Sequence, residues 1–328
     1  MSRIAVLGAG SFGLTLAAHL ERAGHEARLW GHDAAAMARL AVEREDAKFL
    51  AGIKLPSGVK VHAELEAALD GADSVLFVVP SQAVRSVAGR VAASGWRGIP
   101  VCASKGLELG TLRRMSEVLA ETLGDPAPVT LTGPSHAEEV AQGIPTTVVA
   151  ASVDEARAVE VQRIFSTPRF RVYTNSDVAG CEYGGALKNV IAIAAGVCDG
   201  LGFGDNTKGA LLTRGLAEMS RLGESMGAKR ETFFGLTGMG DLIATAMSRH
   251  SRNRHVGERI GRGETLQQVL GGMVMVAEGV TTARAARDLG ARQGVELPIT
   301  AQVCAILEGR APQEALMALM TRDLKREV

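Results

Sequence analysis

Short apolar runs, most of them β-branched and most ending in glycine or another small residue, recur through the first half of the chain. They are RIAVLG (3–8), EARLWG (26–31), SVLFVV (74–79), IPVCAS (99–104) and PVTLTG (128–133). Between them apolar positions return at helical spacing, as in TLAAHLERAG (15–24) and MARLAVEREDAKFL (37–50). Strand and helix alternating at this interval predict a parallel sheet covered on both faces. PTTVVAA (145–151) and RFRVYT (169–174) extend that sheet. After about residue 180 the strand-like runs stop. LLTRGLAEMSRLGESM (211–226), ETLQQVL (264–270), TTARAARDLGARQG (281–294) and ITAQVCAILEG (299–309) read as amphipathic helices, with glycine-rich turns at GLGFGDN (200–206) and GLTGMGD (235–241).

The first run leads into GAGSFG (8–13), which opens the first helix. Strand, glycine turn and helix in this order form the dinucleotide fingerprint. Gly8 makes the tight turn, Gly10 admits a pyrophosphate to the backbone, and Gly13 lets helix and strand pack closely. The helix N-terminus, with unpaired N–H groups, then faces the phosphates. The fold expected is therefore α/β, with an N-terminal Rossmann dinucleotide-binding domain over residues 1–180 and a C-terminal all-α domain over 181–328. A chain of 328 residues exceeds one ordinary core and suits two domains. The acidic residue that commonly selects NAD sits about 20 residues after the glycines. Here Asp33 arrives late, beside His32, and reads equally well as the N-cap of the next helix, so NAD and NADP both stay open.

EYGGALKNVIAIAAG (182–196) carries one lysine in an otherwise apolar helix. The neighbours of Lys188 at helical spacing are Gly184, Gly185, Ile191 and Ala192, none able to neutralise it, so its partner must come from elsewhere in the fold. Lys105 follows the carboxyl end of a strand, the edge where parallel sheets bind ligands. Ser135, after the Gly133–Pro134 turn, stands near another helix start. TGMGDLIAT (237–245) delivers Asp241 to the start of an apolar helix, as counter-charge or as N-cap, with Thr245 one turn later on the same face.

SRHSRNRHVGERIGRG (248–263) concentrates Arg249, Arg252, Arg254, Arg259 and Arg262. Equal numbers of basic and acidic residues, 36 each, exclude a global field for nucleic acid or anionic membrane, and the run lacks interleaved aromatics. Its Ser251-Arg252-Asn253 core suits a compact phosphate, since guanidinium and amide donors satisfy several oxygens together. The four cysteines, Cys102, Cys181, Cys198 and Cys304, form no CxxC pair, and no metal site is expected. They read as buried thiols of a reducing compartment, with the cytoplasm the default and no membrane-spanning run.

GAGSFG, SKGLE (104–108), TGPS (132–135), GGALKNVIAIAAG (184–196), TRGLAEMSRLG (213–223), TGMGDL (237–242) and SRNR (251–254), in this order across nearly the whole chain, closely resemble bacterial NAD(P)-dependent glycerol-3-phosphate dehydrogenases. The resemblance implies reversible reduction of dihydroxyacetone phosphate to sn-glycerol 3-phosphate for phospholipid synthesis, with NADPH or NADH. It implies Lys188 as the catalytic lysine. Lys105, Gly133, Ser135, Asp241, Ser251, Arg252 and Asn253 would contact substrate with it. Ser11, Phe12, His32, Lys105, Ala137, Arg252, Val276 and Glu278 would contact the cofactor. Phe12 stands where Trp or Tyr is common, and His136 where Phe is frequent. Oligomeric state stays open, a homodimer being one candidate. Another two-domain dehydrogenase acting on a hydroxyacid, or a redox-sensing regulator, are the competing readings, and neither explains the cationic cluster as well.

Overall fold

The structure is a computed structural model and describes residues 1–324 and 326. Eight strands form one sheet: β1 (Arg3–Leu7), β2 (Glu26–Trp30), β3 (Lys60–His62), β4 (Ser74–Phe77), β5 (Ile99–Cys102), β6 (Val129–Thr132), β7 (Thr146–Ala151) and β8 (Phe170–Asn175), in the order β3-β2-β1-β4-β5-β6-β7-β8. Side chains alternate between its faces. Ile4 and Val6 join a core with Leu14, Leu29 and Leu76, while Ala5 and Leu7 face Val75, Val87 and Val118. The order reverses between β1 and β4, creating the crevice in which open α/β sheets bind nucleotides.

Three details depart from the expectation. The sheet is not wholly parallel, because β7 runs against β6, with Leu131 opposite Ala150. The 133–145 connection holds only a five-residue helix, Ala137–Ala141, and turns back at the same edge of the sheet. The strand β3 carries no signal of its own, being three residues long and partly exposed. The helical pattern over 37–50 is broken into Ala34–Glu43 and Ala47–Leu50. Arg44 turns left-handed at φ 56°, and Asp46 accepts the N–H groups of Lys48 and Phe49.

Beyond β8 every described element is helical. The central helix, Val178–Gly200, is buried almost throughout, which explains why its sequence shows so little polar face. Against it lies the helix Arg252–Gly261, whose approach is set by glycine on both sides. A Cβ on Gly196 would come within 1.9 Å of the Arg254 carbonyl oxygen, and one on Gly257 within 1.9 Å of that of Ile193. Gly200 and Gly261 repeat the contact one turn on. The two backbones touch directly, so the distance between the residues they carry does not depend on side-chain packing.

Gly257→Ala should therefore lower stability by about 1–3 kcal/mol through overpacking. Gly89→Ala is the matched control, because a methyl group added to that helical glycine would have nothing within 4 Å and should gain roughly 0.4–1 kcal/mol. Chemical denaturation of both variants checks the contrast, and equal midpoints would refute it.

Candidate active site

The glycines of the first turn differ in their surroundings as their assigned tasks require. Gly8 has φ +123°, and a Cβ there would lie 2.6 Å from the Val78 carbonyl oxygen; at Gly13 it would lie 1.8 Å from that of Gly8. Gly10 has nothing within 4 Å. It precedes the helix Ser11–Arg22, whose start has no side-chain cap and no acidic residue in its first turn. An open cradle at an uncapped helix N-terminus fits the pyrophosphate of a dinucleotide.

Around this crevice the other expected cofactor residues have distinct settings. Asp33 caps the helix Ala34–Glu43, accepting the Ala36 N–H at 3.0 Å, while His32 beside it is exposed. Ser11 is buried and Phe12 packs partly against the sheet. Ala137 is buried, its carbonyl accepting the Thr15 hydroxyl at 3.1 Å. Val276 is half-exposed just before the helix Glu278–Gln293. The carboxylate of Glu278 is turned toward Ser81, whose N–H and hydroxyl it accepts at 3.0 and 2.6 Å.

At the carboxyl edge of the sheet, two ammonium groups share one carboxylate. Lys188 is 6% exposed and Asp241 2%. Lys188 Nζ donates to Asp241 Oδ1 at 2.9 Å and to Thr245 Oγ1 at 2.6 Å. Lys105 Nζ donates to Asp241 Oδ2 at 2.7 Å and to the Gly133 carbonyl at 2.9 Å. Asp241 is the first residue of the helix Asp241–Met247, with Gly240 in the cap position, so its carboxylate serves the lysines rather than the helix end. The preceding glycines form a wide turn in which the Gly240 N–H reaches back to the Gly235 carbonyl.

Burial pushes the Lys188 ammonium down to about 8, with Lys105 and Arg252 adding to the fall and Asp241 opposing it. Burial opposes ionisation of Asp241, but Lys105 and Lys188 outweigh it and hold the carboxyl below its ordinary range. Space for this cluster comes from Gly184 and Gly185. A Cβ on the first would lie 2.6 Å from the Thr237 carbonyl oxygen, and one on the second 2.7 Å from Thr132 Oγ1.

A second arm of the site is the start of the helix Arg252–Gly261. Ser251 caps it, accepting the Arg254 N–H at 3.1 Å. Arg254, Arg259 and Arg262 pair with nearby carboxylates, whereas Arg252 is exposed and forms no ion pair among the described residues. The basic run thus divides into three salt-bridged arginines and two exposed ones, Arg249 and Arg252, of which Arg252 opens the helix beside Ser251. Asn253 is buried, donating to Asn189 Oδ1 at 2.9 Å and accepting the Gly279 N–H at 2.9 Å. Ser135 donates to the Gly133 carbonyl at 3.0 Å, and Gly133 takes φ +136°. His136 sets a ring nitrogen 3.3 Å from the Ala244 carbonyl, and burial holds its imidazole below the usual range.

Two buried polar groups of the central helix are not singled out by the sequence pattern. Asn189 adjoins Lys188 in the central helix and fixes Asn253. Glu182, two turns earlier, is buried and accepts from Arg114 and from the Ser116 N–H and hydroxyl, pinning the helix Met115–Leu123. The signal that marks both is a polar side chain within a buried helix. All four cysteines are free and buried. Among the described residues no cluster suits a metal ion, and no helix is long and apolar enough to cross a membrane.

Comparison with known proteins gives the same answer over the whole chain. Residues 3–158 match the family model for the NAD-dependent glycerol-3-phosphate dehydrogenase N-terminus, and 177–318 that for its C-terminus. The glycerol-3-phosphate dehydrogenase [NAD(P)+] of Geobacter sulfurreducens is 52% identical over 99% of this chain and 98% of its own length. That of Chlorobium limicola is 50% identical over 99% of each. The crystal structure of glycerol-3-phosphate dehydrogenase from Coxiella burnetii superimposes with a TM-score of 0.94 at 37% identity, covering 98% of this chain and 99% of that one. Sequence, fold and site geometry agree that the chain is an NAD(P)-dependent oxidoreductase belonging to the NAD-dependent glycerol-3-phosphate dehydrogenase family.

Proposed function

We propose that this enzyme reversibly reduces dihydroxyacetone phosphate to sn-glycerol 3-phosphate, supplying glycerophospholipid synthesis, with Lys188 as its acid and base. The observation that carries the reading is the buried carboxylate shared by Lys188 and Lys105 at the sheet edge. A bound dihydronicotinamide supplies the hydride. Negative charge then develops on the ketone oxygen, and the Lys188 ammonium stabilises it and donates the proton that completes the alcohol. Lys105 adds positive charge beside the same oxygen. Asp241 orients both lysines and keeps Lys188 from losing its proton too readily.

Arg252, with Ser251 and Asn253 at the same helix start, would hold the phosphate, and Gly133 and Ser135 would line the substrate on the sheet side. Remote binding of the phosphate aligns the reacting carbon, so its energy serves turnover as well as affinity. Gly8, Gly10, Ser11, Phe12 and Gly13 would hold the dinucleotide, with His32, Lys105, Ala137, Arg252, Val276 and Glu278 around it. The proposed division assigns this role to 1–180 and the catalytic helices to 181–328. Four free buried thiols suit a reducing compartment, and the cytoplasm is the proposed location.

Lys188→Ala should lower turnover by about 10²- to 10⁴-fold while dinucleotide affinity holds, because the proton donor is lost and the crevice is not. Initial rates and a fluorescence titration check both halves, and substantial turnover in the variant would remove Lys188 from its role. Arg252→Ala should raise the Michaelis constant for dihydroxyacetone phosphate roughly tenfold to hundredfold, the worth of hydrogen bonds to a charged group; unchanged kinetics would return this residue to the solvated face.

The pH dependence has a definite sign. Reduction needs the protonated lysine, so its kcat/KM should fall as pH rises through about 8; oxidation needs the neutral amine and should rise over the same interval. Profiles in both directions that broke on the same side would contradict the assignment.

A further inference from the structure

Ser81 opens a single helical turn, Ser81–Ala83, just after β4, and is 2% exposed. It lies 197 residues from Glu278, yet its N–H and hydroxyl hold both oxygens of that carboxylate. The next residue grips a different segment. Gln82 donates to the Leu107 carbonyl at 2.8 Å and accepts the Leu109 N–H at 3.0 Å. Between these grips sits Gly106, at φ +150°; a Cβ there would lie 2.8 Å from Ser81 Cβ and Oγ and 3.4 Å from Glu278 Oε2. Gly106 immediately follows Lys105 in the chain.

We propose that Ser81 is a positioning residue for the reaction, joining Glu278 of the helical half to the loop that carries Lys105. A backbone that passes through a glycine at φ +150° has conformations open to it that other residues would forbid. The ammonium of Lys105 can meet Asp241 reproducibly only if that backbone is fixed. Ser81 fixes it from one side by contact with Gly106, while its bonds to Glu278 hold the helical half against the same point. Charge-assisted bonds of this kind are about twice as strong as neutral ones. Docking of the helical half and placement of Lys105 thereby become one event. The inference rests on the role proposed above for Lys105.

Ser81→Ala removes the hydroxyl donor and leaves the N–H, whereas Ser81→Thr keeps both. In the full-length enzyme, Ser81→Ala should lower kcat/KM for dihydroxyacetone phosphate by about tenfold to hundredfold, the range expected for a hydrogen bond to a charged group. Hydrogen exchange over residues 105–109 should quicken in the same variant, without cofactor or substrate present. Ser81→Thr should restore both. Wild-type kinetics and exchange in Ser81→Ala would overturn the proposal. So would a loss that Ser81→Thr shares and that follows the folded fraction measured by circular dichroism. Turnover persisting in Lys188→Ala would instead strike the reaction assignment, and the exchange comparison would still decide the clasp.

Discussion

A carboxylate withdrawn from water is tolerated only when opposite charge and hydrogen bonds replace what solvation gave it. Asp241 meets that condition twice, with one oxygen on Lys188 and the other on Lys105. The rest of the molecule arranges those three groups. The sheet edge presents Lys105, the central helix brings Lys188, and the glycine turn before residue 241 delivers the carboxylate between them. One negative charge against two positive ones leaves the centre with excess positive character, as the proposed stabilisation of a developing alkoxide requires.

The central helix shows why burial and reactivity are linked here. Its apolar surroundings depress the lysine toward neutrality, and the same surroundings make Asp241 indispensable as a partner. Removing Asp241 would leave two ammonium groups without their carboxylate in a poorly solvating interior, whereas removing Lys188 would leave Asp241 paired with Lys105 alone. Gly184 and Gly185 let the opposing backbone and Thr132 come close on this side of the cluster, where any larger side chain would collide.

Much of this is legible in the amino-acid sequence, for identifiable reasons. Seven strands announce themselves by short apolar runs, most of them β-branched, and the isolation of Lys188 on its own helix points to a partner in another element. The short edge strand β3 escapes because three half-exposed residues carry no periodicity. The reversed β7 escapes because hydrophobic pattern records burial, not strand direction. In the basic run, composition cannot separate Arg252 from Arg254, Arg259 and Arg262; only the position of their acidic neighbours does so. From its motif Asn253 reads as a wholly free amide donor, whereas tertiary contacts engage its oxygen with Gly279 and one of its two N–H groups with Asn189.

The touching backbones of the central helix and the helix Arg252–Gly261 have a bearing on how such an enzyme can diversify. Lys188 and Arg252 stand on two rods held together at their glycines, so the span between the proposed proton donor and the proposed phosphate anchor is built into main-chain geometry. Phe12, in the helix Ser11–Arg22, and His136, just before the helix Ala137–Ala141, lie outside this contact, so a change at either leaves that span untouched. Under the proposed roles, substrate length is thereby set separately from cofactor preference, and a lineage could retune the second while the first stays fixed.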